Sequence, residues 1–227
     1  LTVITPNSHE ILERGPQYRR RFLDWGVFHV EPEFRQTFER YARCLKQRNA
    51  SLRTKGGLST TWDRELIETG IRVNRFRERY FELFSTRLKD LAAVLLGLDD
   101  IQVSWNRGWT QKSELGQCLE DMRQGDTIAG YTRYGPHRAD LTINIHNRKA
   151  EKYASRGQQK MLVAAMHLAQ LEIAHGQVAS EPTLLIDDLA SELDGNNRQL
   201  LLNHLNEMGI QTFITGVEDL SGGDAGF

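Results

Sequence analysis

A short apolar run that ends in two aspartates, residues 184–188, limits the folds open to this chain. Leu184, Leu185 and Ile186 carry no polar group, which is typical of a central strand in a parallel sheet covered on both faces. Asp187 and Asp188 then lie at the carboxyl end of this strand, where open α/β sheets bind their ligands. The alternative is that the two acids form a solvated turn and a helix cap.

The pattern on either side of this run predicts an α/β sheet. Residues 158–175 place apolar side chains at helical spacing before it, and a second apolar run, residues 211–215, follows it. Further strands are predicted by alternating residues at 1–3, 101–105 and 141–145. Two long helical patterns share residues 33–97, so a helical arm interrupts the strand–helix alternation.

Residues 154–158, Ala-Ser-Arg-Gly-Gln, directly precede the amphipathic helix. Ser155 or Gly157 stands at its start, where free N–H groups and the helix dipole attract a phosphate. Glycine also allows a ligand to approach the backbone closely. The alternative is an ordinary serine N-cap.

The charges are balanced overall but not locally. Lys and Arg number 29 against 30 Asp and Glu, and the net charge of −1 excludes a uniformly basic nucleic-acid-binding protein. Residues 14–53 nevertheless hold ten basic residues and only four acidic ones. A basic helical face there is a candidate DNA site, with Arg40, Arg43, Lys46 and Arg48 as its contacts. The alternatives are a solvated helix face with i,i+4 ion pairs and, for residues 19–21, a nucleotide or dimer contact.

The remaining composition predicts a reducing, cytoplasmic compartment. Cys44 and Cys118 are far apart and form no disulfide framework. The histidines lack metal-ligand spacing, so we expect no zinc site. No apolar stretch is long enough to cross a bilayer, so we expect no membrane partner.

Three stretches together resemble one family. Residues 6–24 contain Gly-Pro, Arg-Arg and Phe-Leu-Asp, residues 135–141 read Gly-Pro-His-Arg-Ala-Asp-Leu, and residues 154–194 hold a signature loop, the paired acids and Ser-Glu-Leu-Asp. On these the chain is identified as a member of the RecF family of ABC-type ATPases. The resemblance implies an α/β fold, a P-loop ABC/SMC-like ATPase head present as its parallel-sheet half, with an inserted all-α arm. It assigns residues 1–24 and 99–227 to the head and residues 25–98 to the arm.

The resemblance also implies roles for single residues. Asp187 resembles the Walker B carboxylate that holds Mg²⁺, and Asp188 stands where most ABC enzymes carry the catalytic Glu. Ser155, Arg156, Gly157 and Gln158 resemble the signature loop that meets the γ-phosphate bound by a second subunit. Asp194 resembles the D-loop acid at the dimer interface.

The implied function is ATP-dependent DNA binding in recombinational repair and replication-fork maintenance. The implied cofactors are ATP and Mg²⁺. The implied partners are single-stranded DNA, junctions of single- and double-stranded DNA, a second copy in an ATP-closed dimer, and other recombination-mediator proteins that help to load the recombinase. The alternatives are the nucleotide-binding domain of another ABC-type ATPase and a non-catalytic helical fragment that binds DNA or protein.

The 227 residues contain no G-x-x-x-x-G-K-[ST] loop, which supplies most of the phosphate cradle in such enzymes. We therefore expect that an N-terminal part is missing and that this chain alone is inactive as an ATPase. Residues 220–223, Leu-Ser-Gly-Gly, match the generic ABC signature but follow the paired acids instead of preceding them. We expect them to form a flexible tail.

Overall fold

The structure is a computed structural model of the chain, and it describes residues 1–54, 61–177, 182–188 and 193–216. The Leu-Ser-Gly-Gly stretch at 220–223 lies outside the described residues. The elements are, in order, β1 (Thr2–Ile4), α1 (Glu10–Glu13), α2 (Pro16–Val30), α3 (Phe34–Leu52), α4 (Asp63–Leu96), β2 (Ile101–Asn106), α5 (Leu115–Asp121), α6 (Arg123–Ala129), a 3₁₀ turn (Pro136–Arg138), β3 (Asp140–Ile145), β4 (Arg148–Lys149), α7 (Ala150–Tyr153), α8 (Arg156–Gln177), β5 (Leu184–Ile186), α9 (Gly195–Met208) and β6 (Thr212–Ile214).

The chain divides into two compact units. Unit 1 comprises residues 1–18, 83–103 and 143–227, and unit 2 comprises residues 19–82 and 104–142. Unit 2 thus combines helices α3 and most of α4 with a second segment that the sequence assigned to the head. The predicted arm, residues 25–98, has different limits from this unit and stays a prediction as a functional domain.

The centre of unit 1 is a parallel sheet in the order β1-β5-β6. Leu185 of β5 is in register with Val3 of β1 and with Phe213 of β6. The predicted apolar strand therefore lies in the middle of the sheet, as expected for a run without polar groups. Helix α8 packs beside β1, and its apolar residues are buried, including Leu162, Ala165 and Leu168.

Side chains from two of the three stretches that carry the family resemblance, residues 6–24 and 135–141, stabilise unit 2. Arg19 and Asp140 form a two-bond ion pair, with Nε to Oδ1 at 2.8 Å and Nη2 to Oδ2 at 3.0 Å. Arg77 of α4 binds both carboxylate oxygens of Asp24 and donates to the Pro136 carbonyl at 2.7 Å. Residues distant in sequence thereby fix α2, α4 and the 3₁₀ turn to one another.

A second, buried ion pair network joins α3, α4 and α6 in unit 2. Arg48 is 2% exposed and contacts Asp63 Oδ1 at 2.9 Å and Asp126 Oδ2 at 2.8 Å. The same guanidinium donates to the Thr132 hydroxyl at 2.6 Å. Because buried charges are costly unless they are paired, this network fixes the end of α3 against its neighbours.

In the described ranges, no helix combines the length and the apolar character that crossing a membrane requires.

Candidate functional site

The carboxyl ends of β5 and β6 bring Asp187, Asp188 and Thr215 together. The Asp187 N–H donates to the Ile4 carbonyl at 2.8 Å, and the Thr215 N–H donates to the Ile186 carbonyl at 2.9 Å. Both residues thus continue the hydrogen bonding of the parallel sheet just beyond its strands. Their side chains therefore occupy the edge at which open α/β sheets bind ligands.

The Thr215 hydroxyl connects the two aspartates. It donates to Asp187 Oδ1 at 2.7 Å and accepts from the Asp188 N–H at 3.0 Å. Asp188 has a φ of 54°, in the left-handed region that a residue other than glycine seldom adopts. Asp187 is exposed and Asp188 half-buried, so both carboxylates are open to a ligand. The alternative of a helix cap concerns residues 189–192, which lie outside the described residues, and it stays open beside the contact of Asp187 with Thr215.

The donor chemistry at this edge fits Mg²⁺. Asp187 offers a hard carboxylate oxygen, the ligand type that Mg²⁺ prefers, and Mg²⁺ takes its other ligands from water and substrate phosphates. No group of three or more His, Cys, Asp or Glu residues suited to a metal occurs in the described part of the chain. A single carboxylate can hold Mg²⁺ only when a nucleotide supplies further oxygen ligands. The metal and the nucleotide would therefore bind together.

The predicted signature loop forms a reciprocal cap at the start of α8. The Ser155 hydroxyl accepts from the Gln158 N–H at 3.2 Å, and the Gln158 side-chain oxygen accepts from the Ser155 N–H at 3.0 Å. This is a capping box, which satisfies two N–H groups at once. Ser155, Gly157 and Gln158 are exposed, and the 79%-exposed Arg156 side chain reaches Glu13 at 3.4 Å. The N-cap alternative is correct for Ser155 in this structure, and the γ-phosphate role stays a prediction.

Asp194 has the same local role at α9. Its Oδ1 accepts from the Asn197 N–H at 2.9 Å, and its Oδ2 accepts from the Asn197 amide at 2.9 Å. The predicted D-loop acid therefore caps its own helix, and its place at a dimer interface stays a prediction. Its neighbours at 189–192 lie outside the described residues.

The sequence analysis missed the contact between Thr215 and the two aspartates. The signal was present, because Thr215 directly follows an apolar strand in the same way that Asp187 follows β5. Parallel neighbouring strands end at the same edge, so a polar residue after each is expected to meet the other. The capping box was also present in the sequence as a serine three residues before a glutamine.

The structure corrects the predicted basic face of α3. Arg48 is buried among Asp63, Asp126 and Thr132, so it has no surface to offer to a phosphate. Arg40, Arg43 and Lys46 are exposed. Arg40 pairs with Glu65 of α4 at 2.9 Å, which also lowers the pKa of Glu65. Three of the four candidates therefore stay available for DNA contacts.

Of the three arginines at 19–21, two contact other residues of unit 2 and one is exposed. Arg19 is paired with Asp140, and Arg20 donates to the Ala139 carbonyl at 2.7 Å. Burial and the nearby Arg77 lower the pKa of Arg20. Two of the three thus serve contacts within unit 2, and only Arg21 is exposed.

Comparison with solved structures defines the class of protein first. The fold matches the Smc head domain with an extended coiled coil, bound to the C-terminal domain of ScpA, from Pyrococcus furiosus. The TM-score is 0.50 with 14% identity, over 96% of this chain and 55% of that one. The chain shares the fold of an SMC head domain, which confirms the predicted fold class.

More similar proteins bear the name RecF. The chain is 41% identical over 220 residues to the DNA replication and repair protein RecF of Shewanella frigidimarina (strain NCIMB 400), covering 96% of this chain and 61% of that protein. The structure of the recombination mediator protein RecF with ATP, in the RecFOR pathway, matches at a TM-score of 0.85. That match has 26% identity and covers 98% of this chain and 63% of the other. No protein-family model matches.

The chain is similar to RecF proteins over nearly its whole length, as its three sequence stretches predict. It spans about 61% of the length of the curated relatives it matches, and a second relative, RecF of Shewanella sp. (strain MR-4), is 40% identical with the same coverage.

Proposed function

We propose that this chain forms the Walker B, signature and arm parts of an ATP-dependent DNA replication and repair protein of the RecFOR pathway. The observation that supports this most is the Asp187–Thr215 pair at the carboxyl edge of the parallel sheet. It supports the proposal because an exposed carboxylate at this edge of a parallel sheet suits the metal of a P-loop ATPase, in a chain 41% identical to a RecF protein.

In this proposal Asp187 holds Mg²⁺ and Asp188 orients the attacking water. The bound Mg²⁺ neutralises charge on the nucleotide phosphates. Asp188 is one methylene shorter than the glutamate of most ABC enzymes, so its carboxylate reaches the water from further back. Because a displacement of about 1 Å costs on the order of a hundredfold in rate, we propose that turnover is slow.

The start of α8 is proposed to complete the site of a second copy. The helix has 22 residues, so its N-terminus carries the partial positive charge of a long dipole. Ser155, Gly157 and Gln158 are exposed there, and a γ-phosphate held by another subunit would accept from the Gly157 N–H and from the Ser155 hydroxyl, since the N–H groups of Ser155 and Gln158 are used in the capping box. Asp194 lies on the same proposed dimer interface, so ATP closes the dimer and hydrolysis opens it.

The experiment that tests this uses a completed protein, in which this chain is joined to the segment of the Shewanella frigidimarina relative that it does not cover. Ser155→Arg places a bulky cation in the signature loop, and Asp187→Asn removes the metal ligand. Each variant alone should be inactive in ATP hydrolysis. A mixture of the two should recover up to about half of one active dimer's rate, because one of its two sites is intact. A mixture as inactive as its parts contradicts the composite site.

DNA binding is proposed to use the exposed basic residues of α3. Arg43 and Lys46 are exposed and form no ion pair with another described residue. Arg40 is exposed and forms an ion pair with Glu65. Single-stranded DNA and its junctions with duplex would contact this face while the dimer is closed, and mediator proteins would then help to load the recombinase.

The test of this face is the salt dependence of DNA affinity in the completed protein. Arg43→Glu/Lys46→Glu should lower the slope of log K against log salt by roughly 1.5 to 2, the value for two phosphate contacts. The matched control is Arg64→Glu/Lys89→Glu, which makes the same charge change on α4 and should leave the slope near its original value. Equal slopes for both double variants would contradict a DNA site on α3.

A further inference from the structure

We propose that Thr215 is a positioning residue that holds the metal-binding carboxylate of Asp187 in one orientation. This inference rests on the proposed ATPase function of the same site. The sequence does not show the contact between Thr215 and Asp187, because the two residues are 28 positions apart. They meet through the pairing of β5 with β6.

The polarity of the Thr215 hydroxyl is fixed by its surroundings. The Asp188 N–H is a donor only, so the hydroxyl oxygen must accept from it, at 3.0 Å. The hydroxyl proton is then directed to Asp187 Oδ1, at 2.7 Å. A hydrogen bond to a charged acceptor of this length is among the stronger side-chain bonds in proteins. It holds Oδ1 in place and leaves Oδ2 as the oxygen for the metal.

The backbone around this hydroxyl is itself anchored. The Thr215 N–H donates to the Ile186 carbonyl at 2.9 Å, and the Asp187 N–H donates to the Ile4 carbonyl at 2.8 Å. The hydrogen bonds of the sheet therefore fix the distance between the Cβ atoms of Thr215 and Asp187. Threonine is also restricted at χ1 by its branched Cβ, so little side-chain entropy is lost when it holds the carboxylate.

The same hydroxyl also holds the turn after β5. Asp188 has a φ of 54°, a conformation that is unfavourable for an L-residue. Its N–H is satisfied by Thr215 in this turn, which offsets part of that cost. Thr215 thereby fixes both the carboxylate of Asp187 and the direction in which the chain leaves the strand.

The first test measures orientation directly, in this chain and without nucleotide. Three-bond couplings from Asp187 Cγ to its backbone nitrogen and carbonyl carbon report χ1 by NMR. We expect one rotamer in the original chain and in Thr215→Ser, and averaged couplings in Thr215→Val, which keeps the shape but loses the hydroxyl. Thr212→Val is the matched control at the start of β6, because the Thr212 hydroxyl donates to the Ile210 carbonyl and, among the described residues, has no recorded hydrogen bond to either aspartate. Unchanged couplings in Thr215→Val overturn the proposal.

A second readout uses Mn²⁺ as the probe metal in the completed protein with ADP, because a single carboxylate needs the oxygens of a nucleotide to hold a metal. Its broadening of signals near Asp187 should have a midpoint at least threefold higher in Thr215→Val and less than twofold higher in Thr215→Ser. Melting curves of the variants separate this effect from a loss of folding, since Thr215→Ser and Thr212→Val should match the original chain. A midpoint that is unchanged or lower in Thr215→Val overturns the positioning role.

Turnover in the completed protein separates this inference from the proposed function. Thr215→Val should lower kcat about tenfold with less than a twofold change in KM for ATP, and Thr215→Ser should restore kcat to within threefold. If Asp187→Asn leaves hydrolysis unchanged, the proposed ATPase site fails, whatever the couplings show. If Asp187→Asn abolishes hydrolysis while Thr215→Val leaves kcat unchanged, the role of Thr215 in the reaction is overturned.

Discussion

His137 is one of two histidines, with His167, whose burial lowers the side-chain pKa and so makes folding depend on pH. Its Nδ1 lies 2.6 Å from the Tyr41 hydroxyl and its Nε2 lies 2.9 Å from the Thr132 carbonyl. The carbonyl can only accept, so the neutral ring carries its proton on Nε2 and accepts from Tyr41. Burial, assisted by the positive charges of Arg138 and Arg20, lowers the pKa of His137 to about 4.

We expect this histidine to destabilise the fold as the pH falls. Its pKa is about 4 in the folded chain and about 6.5 when unfolded, so the unfolded chain binds the extra proton between these values. The free energy of unfolding should decrease from about pH 6.5 to about pH 4, by up to about 3 kcal/mol, and this contribution should level off below. Urea unfolding of His137→Gln should show a flatter profile in this range, whereas His29→Gln, at an exposed histidine, should keep the original slope.

Gly26 is the glycine of α2 that packing requires. A Cβ at this position would lie 2.1 Å from the Tyr80 hydroxyl oxygen, far closer than real atoms approach. Gly26→Ala should therefore lower the free energy of unfolding by about 1–3 kcal/mol despite its better helix propensity. Gly176→Ala is the control, because nothing lies within 4 Å of its added Cβ near the end of α8. Equal stability of the two variants would contradict the close contact.

At the scale of elements, the capping box should set the stability of the first turn of α8. Ser155→Ala removes the acceptor for the Gln158 N–H, so it should cost about 1 kcal/mol in chemical denaturation and speed amide exchange in that turn. Ser155→Asp retains an acceptor and should keep most of the stability. A Ser155→Ala chain with unchanged exchange would show that the cap does not form in solution.

The same elements show what the sequence could predict. Strand β5 and helix α8 were predictable because hydrophobic periodicity reports burial directly. The burial of Arg48 was not, because its partners Asp63 and Asp126 lie 15 and 78 positions away. A row of basic residues does not show which of them meets a carboxylate after folding. Asp187 was found from its position after an apolar run, whereas its contact with Thr215 depends on the register between β5 and β6.

At the scale of the whole molecule, the proposed site has only some of the groups that bind the phosphates of a nucleotide. In the proposed site Asp187 would contribute one carboxylate, and the start of α8 would contribute an N–H group to a phosphate that something else must hold. The 227 residues contain no G-x-x-x-x-G-K-[ST] loop to supply a cradle and a lysine. The folded core of this chain, including the sheet β1-β5-β6 and the Arg48 network, depends on none of these missing groups.

We therefore expect this chain to fold and its melting temperature to shift by less than about 1 °C in 1 mM Mg-ATP. A ligand present at a hundred times its Kd stabilises by about 2.7 kcal/mol, and 1 kcal/mol raises Tm by about 2–4 °C in a domain of this size. Binding with a Kd near 10 μM would thus raise Tm by roughly 5–11 °C. The completed protein, under the same conditions, should show a shift of that order, and Asp187→Asn should reduce it. A shift of several degrees in this chain alone would mean that its own residues form a phosphate cradle.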